Sequence, residues 1–241
     1  MEPYGDVWQQ VQQFSMAITP RTATIYQTSV AGTGGAVSVP AGTTDGDVMF
    51  LLVGLGNDTS SVNGGVSDWT LIGEAPDVVG NKYYLYWKIA NSEPASYTVT
   101  LDSGVKHSTV ISCYTGFPSS ELNISTISNA SYTTNDSVVR AADMTVPNAN
   151  STLFFFGFRR YNTAIITWSA VTSPDTFTTD SAMGSSTADQ YYSIQHLEWS
   201  GSGPTGNMDS TMNRAGTTDK AGMAVAVATA TENTTNFFYM N

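Results

Sequence analysis

The chain has 241 residues, of which 20 are acidic and nine basic, giving a formal net charge of −11 with only 12% of residues charged. Lys and Arg are spread from Arg21 to Lys220 with only Arg159 and Arg160 adjacent, which leaves no basic stripe for phosphates and argues against nucleic acid as a partner. A single cysteine, Cys113, excludes an intrachain disulfide and a thiolate metal site, and no apolar stretch reaches the ~18 residues of a membrane helix.

In chain order, residues 1–21 read as an N-terminal arm, helical or extended. Asp6 can cap a short helix in which Val7, Val11 and Phe14 recur on one face with Trp8 beside them. So short a helix is not stable alone, so its apolar stripe must dock, either on its own domain or on a neighbouring subunit. No basic segment leads into an apolar one here, so the expectation is a product without a signal peptide, made in a cytoplasm. Ile25, Tyr26, Val30, Val37 and Val39 suggest two short strands around the glycines 32–35. The turn from Val39 to Asp47 leads into the apolar run Val48 to Leu55, a strand buried on both faces. After a polar loop, Trp69 to Ile72 resumes β character. Lys82 to Leu101 then reads as a strand, a turn at Asn91 to Pro94, and a second strand in which Tyr97, Val99 and Leu101 alternate with threonines. The strand from Lys106 to Tyr114 ends at Gly116-Phe117-Pro118, and Cys113 within it reads as a core filler.

The second half repeats the first. Val146-Pro147 before Leu153 to Phe158 answers Val39-Pro40 before Val48 to Leu55. Trp168 answers Trp69, Tyr191-Tyr192 answers Tyr83-Tyr84, and Ala221 to Ala228 answers Ser108 to Tyr114. About four strands per repeat are too few to close a core alone, so the sheet of one is expected to pack on the other's. The predicted fold is therefore all-β, a β-sandwich of jelly-roll or Greek-key type over residues 22–232, with pseudo-repeats at about 37–117 and 144–230. Asn123 to Arg140 would be a crossing connection with one or two edge strands, or else the joint between two domains.

The series Val39 to Val48, then Asp68-Trp69-Thr70-Leu71-Ile72, then Tyr84 to Ala90 with Ser92 to Thr98, resembles a β-sandwich module of bacteriophage virion structural proteins and bacterial surface proteins. The resemblance covers roughly Val37 to Thr229 and implies a virion or surface component without enzymatic activity. The second half departs from the pattern, since Thr163 to Ser173 lacks a proline-rich approach to its tryptophan, so no loop function is carried over.

Chemical motifs are sparse. His107 and His196 are the only histidines, and no nucleophile elbow or zinc spacing accompanies them. Asp45-Gly46-Asp47 reads as a turn closed by side-chain to backbone bonds, and it could also contribute to a Ca²⁺ site, although the ligand spacing of an EF-hand loop is missing. Neither a cofactor nor a metal is expected. Tyr132 and Tyr161, in polar surroundings, are the candidate contacts for a glycan of a host surface. Residues 233–241 form an aromatic tail in which Phe237, Phe238 and Tyr239, like Val7, Trp8, Val11 and Phe14, are candidate partner-binding residues. The expected role is that of a capsid decoration or cement protein, or a related fibre or knob, located in the virion. Its partners would be other virion proteins and further copies of itself.

Overall fold

The computed structural model describes residues 17–28, 30–76, 80–117, 122–132, 137–146, 150–160, 166–185, 189–213 and 220–229. Among these residues the chain forms eighteen strands and no helix, so the all-β class is as expected. The first nine strands are β1 (Thr19–Pro20), β2 (Thr24–Gln27), β3 (Gly32–Ser38), β4 (Val48–Leu55), β5 (Val62–Gly64), β6 (Thr70–Pro76), β7 (Lys82–Ile89), β8 (Ser96–Val105) and β9 (His107–Thr115). The second nine are β10 (Leu122–Tyr132), β11 (Val138–Ala141), β12 (Thr145–Val146), β13 (Ser151–Arg160), β14 (Thr178–Ser185), β15 (Gln190–Trp199), β16 (Gly203–Pro204), β17 (Met208–Thr211) and β18 (Lys220–Thr229). The helix considered for the N-terminal segment falls outside the described residues.

Each half builds one large antiparallel sheet and a smaller partner. The first large sheet runs β1-β9-β4-β7-β6, with β2 also on β9; the second runs β10-β18-β13-β15-β14. The order is the same in both, with β4, β7, β6 and β9 answered by β13, β15, β14 and β18. The small sheet β3-β8-β5 belongs to the first half, and the ribbons β11-β17 and β12-β16 to the second.

Three apolar cores make four layers. Val48, Phe50, Leu52, Tyr83, Leu85 and Val110 of the first large sheet meet Phe154, Phe156, Phe158, Tyr192, Ile194 and Met223 of the second in a central core. The intervening residues Met49, Leu51, Val53, Tyr84 and Ile111 face Val37, Val99 and Leu101 of the small sheet. Leu153, Phe155, Tyr191 and Ala224 likewise face Val139, Val146 and Met208. Because successive side chains point to opposite faces, β4 is flanked by a core on each side, which is why its sequence is apolar throughout. The large sheets share the central core. Each repeat, however, has nine strands where about four are read from the sequence, and closes an outer core of its own. The extra strands are short or rich in Gly, Ser and Thr, so they carry little periodic signal.

The repeats are related by an approximate two-fold axis along the strands. β2 approaches β14 and β6 approaches β10, which are equivalent contacts under that exchange. Phe50 and Phe154, near the starts of β4 and β13, meet with ring centroids 4.8 Å apart. Two correspondences read from the sequence shift. Tyr83 matches Tyr192 and not Tyr191, because both point into the central core and a slip of one residue reverses the face. The position of Trp69, immediately before β6, is taken in the second half by buried Phe177 before β14, while Trp168 makes an isolated bridge to Met212.

Candidate functional site

Aligned strands give the molecule two distinct ends, each shared by both repeats. At the first end β4 and β13 begin and β9 and β18 finish: Val48 lies opposite Tyr114, and Thr152 opposite Val227. The rings of Tyr114 and Phe154 meet there at 4.7 Å. Thr19 pairs with Thr115, and Thr229 with Leu122, so the described chain enters and leaves at this end. The Ile18 N–H donates to the Glu198 carboxylate of the other repeat at 2.5 Å.

Two buried carboxylates organise the same end. Asp180 is the extra residue of a β-bulge in β14, which turns an edge-strand side chain inward. Its Oδ2 accepts from the Tyr114 hydroxyl at 2.8 Å across the repeat boundary, and its Oδ1 lies 2.6 Å from His196 Nδ1. Burial and the neighbouring Asp180 carboxylate push the Tyr114 hydroxyl well above the ordinary tyrosine range, so it stays a donor. An Asp–His pair is the orienting half of a hydrolytic triad, yet among the described residues no hydroxyl or thiol is hydrogen-bonded to His196. Through Tyr114 the pair forms a polar clamp between repeats. Sequence spacing does not reveal it, because the two partners come from different strands and the bulge sets the direction of Asp180.

Asp47 is the second carboxylate. Its Oδ2 accepts from Arg21 Nε at 2.8 Å and from the Thr44 N–H at 2.9 Å. Burial raises its pKa, but the Thr44 and Arg21 bonds outweigh it and hold the group below the usual carboxylate value. The turn therefore works as side-chain to backbone bonding, with the carboxylate also engaged by Arg21. Cys113 lies beside it, its thiol pushed up to about 11 chiefly by burial, which makes it a poor nucleophile.

At the opposite end Lys106 Nζ pairs with Asp189 Oδ2 at 2.7 Å across the repeats. Beside this pair, Tyr192 donates to Gln190 Oε1 at 2.8 Å, Ser108 bonds to both, and Gln27 Nε2 donates to the Gln190 carbonyl at 3.0 Å. Gly54 leaves room for this cluster, since a Cβ there would stand 2.5 Å from the Tyr192 hydroxyl. His107 is fully buried here, with Nδ1 3.0 Å from the Val105 carbonyl. Lys82, Lys106, Arg159, Arg160 and Lys220 all lie at this end, so basic residues scattered in sequence are gathered by the fold. Acidic partners accompany them: Glu74 is 3.4 Å from Lys82, and Asp189 pairs with Lys106.

Of the residues singled out in the sequence, Val7, Trp8, Val11, Phe14, Tyr161, Phe237, Phe238 and Tyr239 lie outside the described residues. Tyr132 closes β10 opposite Lys220, at the end away from the chain's entry and exit. Among the described residues no group of three or more His, Cys, Asp or Glu could hold a metal ion, and no helix is long and apolar enough to cross a membrane. No family model, curated protein or solved structure matches the chain.

Proposed function

We propose that the protein is a non-enzymatic structural component of a bacteriophage virion, a capsid decoration or cement protein or a related head- or tail-attached fibre or knob. The observation that carries this reading is the shared end of the described chain. Residues 1–16 and 230–241 hold the two apolar segments noted in the sequence, and they are joined to the core at Ala17 and Thr229 on one end. Two apolar segments tethered at one end suit a body that attaches by that end, through burial of Trp8, Phe14, Phe237 and Phe238 against neighbours. The net charge of −11 keeps free subunits apart before assembly.

The test is a cryo-EM reconstruction of the particle that carries the chain, with the full protein and with residues 1–16 or 230–241 removed. Cutting before Ala17 spares Ile18 and β1, which bond to Glu198 and β9. Expected are density on the particle surface with the Ala17 end inward, and folded truncated chains that fail to incorporate. Density with the opposite end inward, or full incorporation of both truncations, overturns the reading. A glycan-binding adhesin is the second reading, favoured by the place of Tyr132, and of Arg160 just before Tyr161, at the end away from the flanks. Density confined to a fibre tip, with glycan binding lost in Tyr132→Ala or Tyr161→Ala, would put it first.

A further inference from the structure

We propose that Asn63 is a site of spontaneous covalent change, at which the Gly64 backbone nitrogen closes on the Asn63 side-chain amide, expels ammonia and leaves aspartate or isoaspartate in β5. The inference stands on β5 and β8 of the first repeat and does not rest on the virion reading.

An asparagine cyclises on the backbone nitrogen of the next residue most readily when that residue is glycine, because no side chain then obstructs the approach. Asn63-Gly64 is the one Asn-Gly step in the sequence. It falls in β5, three residues at the edge of the small sheet β3-β8-β5, and Asn63 is exposed there. The register shifts between Val62, opposite Leu101, and Gly64, opposite Thr100, so Asn63 is the extra residue of a bulge with no facing residue of its own. A short, bulged edge strand opens at little cost, which gives the backbone the local freedom that ring closure needs.

Thr100 supplies the chemistry. Its hydroxyl donates to Asn63 Oδ1 at 2.9 Å, which draws electrons from Cγ and stabilises the negative charge that develops on the oxygen as the nitrogen adds. The Gly64 N–H gives its proton to water, the new bond forms between that nitrogen and Asn63 Cγ, and the bond from Cγ to the side-chain nitrogen breaks. That nitrogen takes up a proton and leaves as ammonia. Water then opens the succinimide at either carbonyl, so the net change consumes water, releases ammonia and involves no oxidation. Each event adds a carboxylate to a chain already at −11, and the isoaspartate product also lengthens the backbone of β5. Asp45-Gly46, the one Asp-Gly step, is placed differently: Asp45 Oδ1 accepts from the Ser92 N–H at 2.6 Å, and the Gly46 N–H donates to the Ala90 carbonyl at 2.9 Å. Both reacting groups are tied down there.

The experiment incubates the full, folded chain at mildly alkaline pH and maps it by peptide mass spectrometry, with isoaspartate detected by enzymatic methylation. Expected is conversion at Asn63 ahead of every other asparagine and ahead of isomerisation at Asp45. Thr100→Val should slow it at least about tenfold, and Thr100→Ser, which keeps the hydroxyl, should not. In urea, where the two side chains part, all three chains should convert alike. Asn63 left intact while other asparagines convert overturns the proposal. So does folded Thr100→Val converting as fast as the unsubstituted chain, since the hydroxyl then contributes nothing. If Thr100→Val does not fold, the order of conversion in the unsubstituted chain decides alone.

Discussion

Replacing Phe154 by Ala tests whether the two repeats melt as one unit. Phe154 is fully buried in the central core, and its ring stands 4.8 Å from Phe50, 4.7 Å from Tyr114 and 6.2 Å from Phe117, all in the other repeat. Truncating a buried Phe in a core that cannot collapse costs about 3–5 kcal/mol, and a side chain packed against three rings of the other repeat belongs in the upper part of that range. For a chain of this size that is a fall in Tm of roughly 6–20 °C. Calorimetry and near-UV circular dichroism should both show one transition, displaced downward as a whole, because both repeats supply the wall of the cavity. A fall of only a degree or two would refute the packing argument. Two separated transitions, with the first repeat unmoved, would refute the shared core.

Two further outcomes are expected. Gly54→Ala forces a methyl against Tyr192 and Gln190 and should lower the urea midpoint by displacing the buried Ser108–Gln190–Tyr192 cluster, whereas Gly46→Ala, with open space at its Cβ and a backbone strained for alanine, should lose less and keep that cluster. For pH, burial raises Glu93 but Lys88, Tyr97 and the Asn91 N–H outweigh it, and Asp47 is lowered in the same sense. Carboxyls with a lower pKa folded than unfolded contribute fully above their unfolded values, about 3.9 and 4.3, and lose that contribution as the pH falls through the folded ones. Denaturation curves should therefore show stability falling below about pH 4.5, with a shallower fall in the double variant Asp47→Asn, Glu93→Gln; an unchanged slope would refute the assignment.

The sequence carries the two-faced strands and the duplication plainly, and the reason is burial. β4, β7, β9, β13 and β18 sit between two cores, so nearly every position must be apolar or small, and such runs stand out from a Ser- and Thr-rich background. β3, β5, β11, β12, β16 and β17 each bury only some positions or none, and glycine, threonine and serine serve their open faces as well as any loop. The faces of the tyrosine pairs are not legible either, because both members of each pair are aromatic and both are buried. The polar clamps are hidden for another reason. Asp180, Gln190 and Asp189 acquire their partners only when the large sheets meet, and nothing local to them announces Tyr114, Ser108 or Lys106.

The joint between the repeats has the form of a symmetric dimer made within one chain, and that changes what a substitution can do. In a dimer of separate identical subunits every replacement is made twice, so a ring added on one side must also fit when added on the other. Here each position of the joint is written once. Tyr83 faces Phe158 with ring centroids 4.9 Å apart, while the matching Tyr192 lies over Gly54 and bonds to Ser108. One side of the axis is thus closed by a pair of tilted rings and the other by a hydrogen-bonded cluster, a division of labour closed to a true two-fold dimer. Because a short link joins the halves, they also meet at the high effective concentration of an intramolecular contact, so the joint holds however dilute the protein becomes.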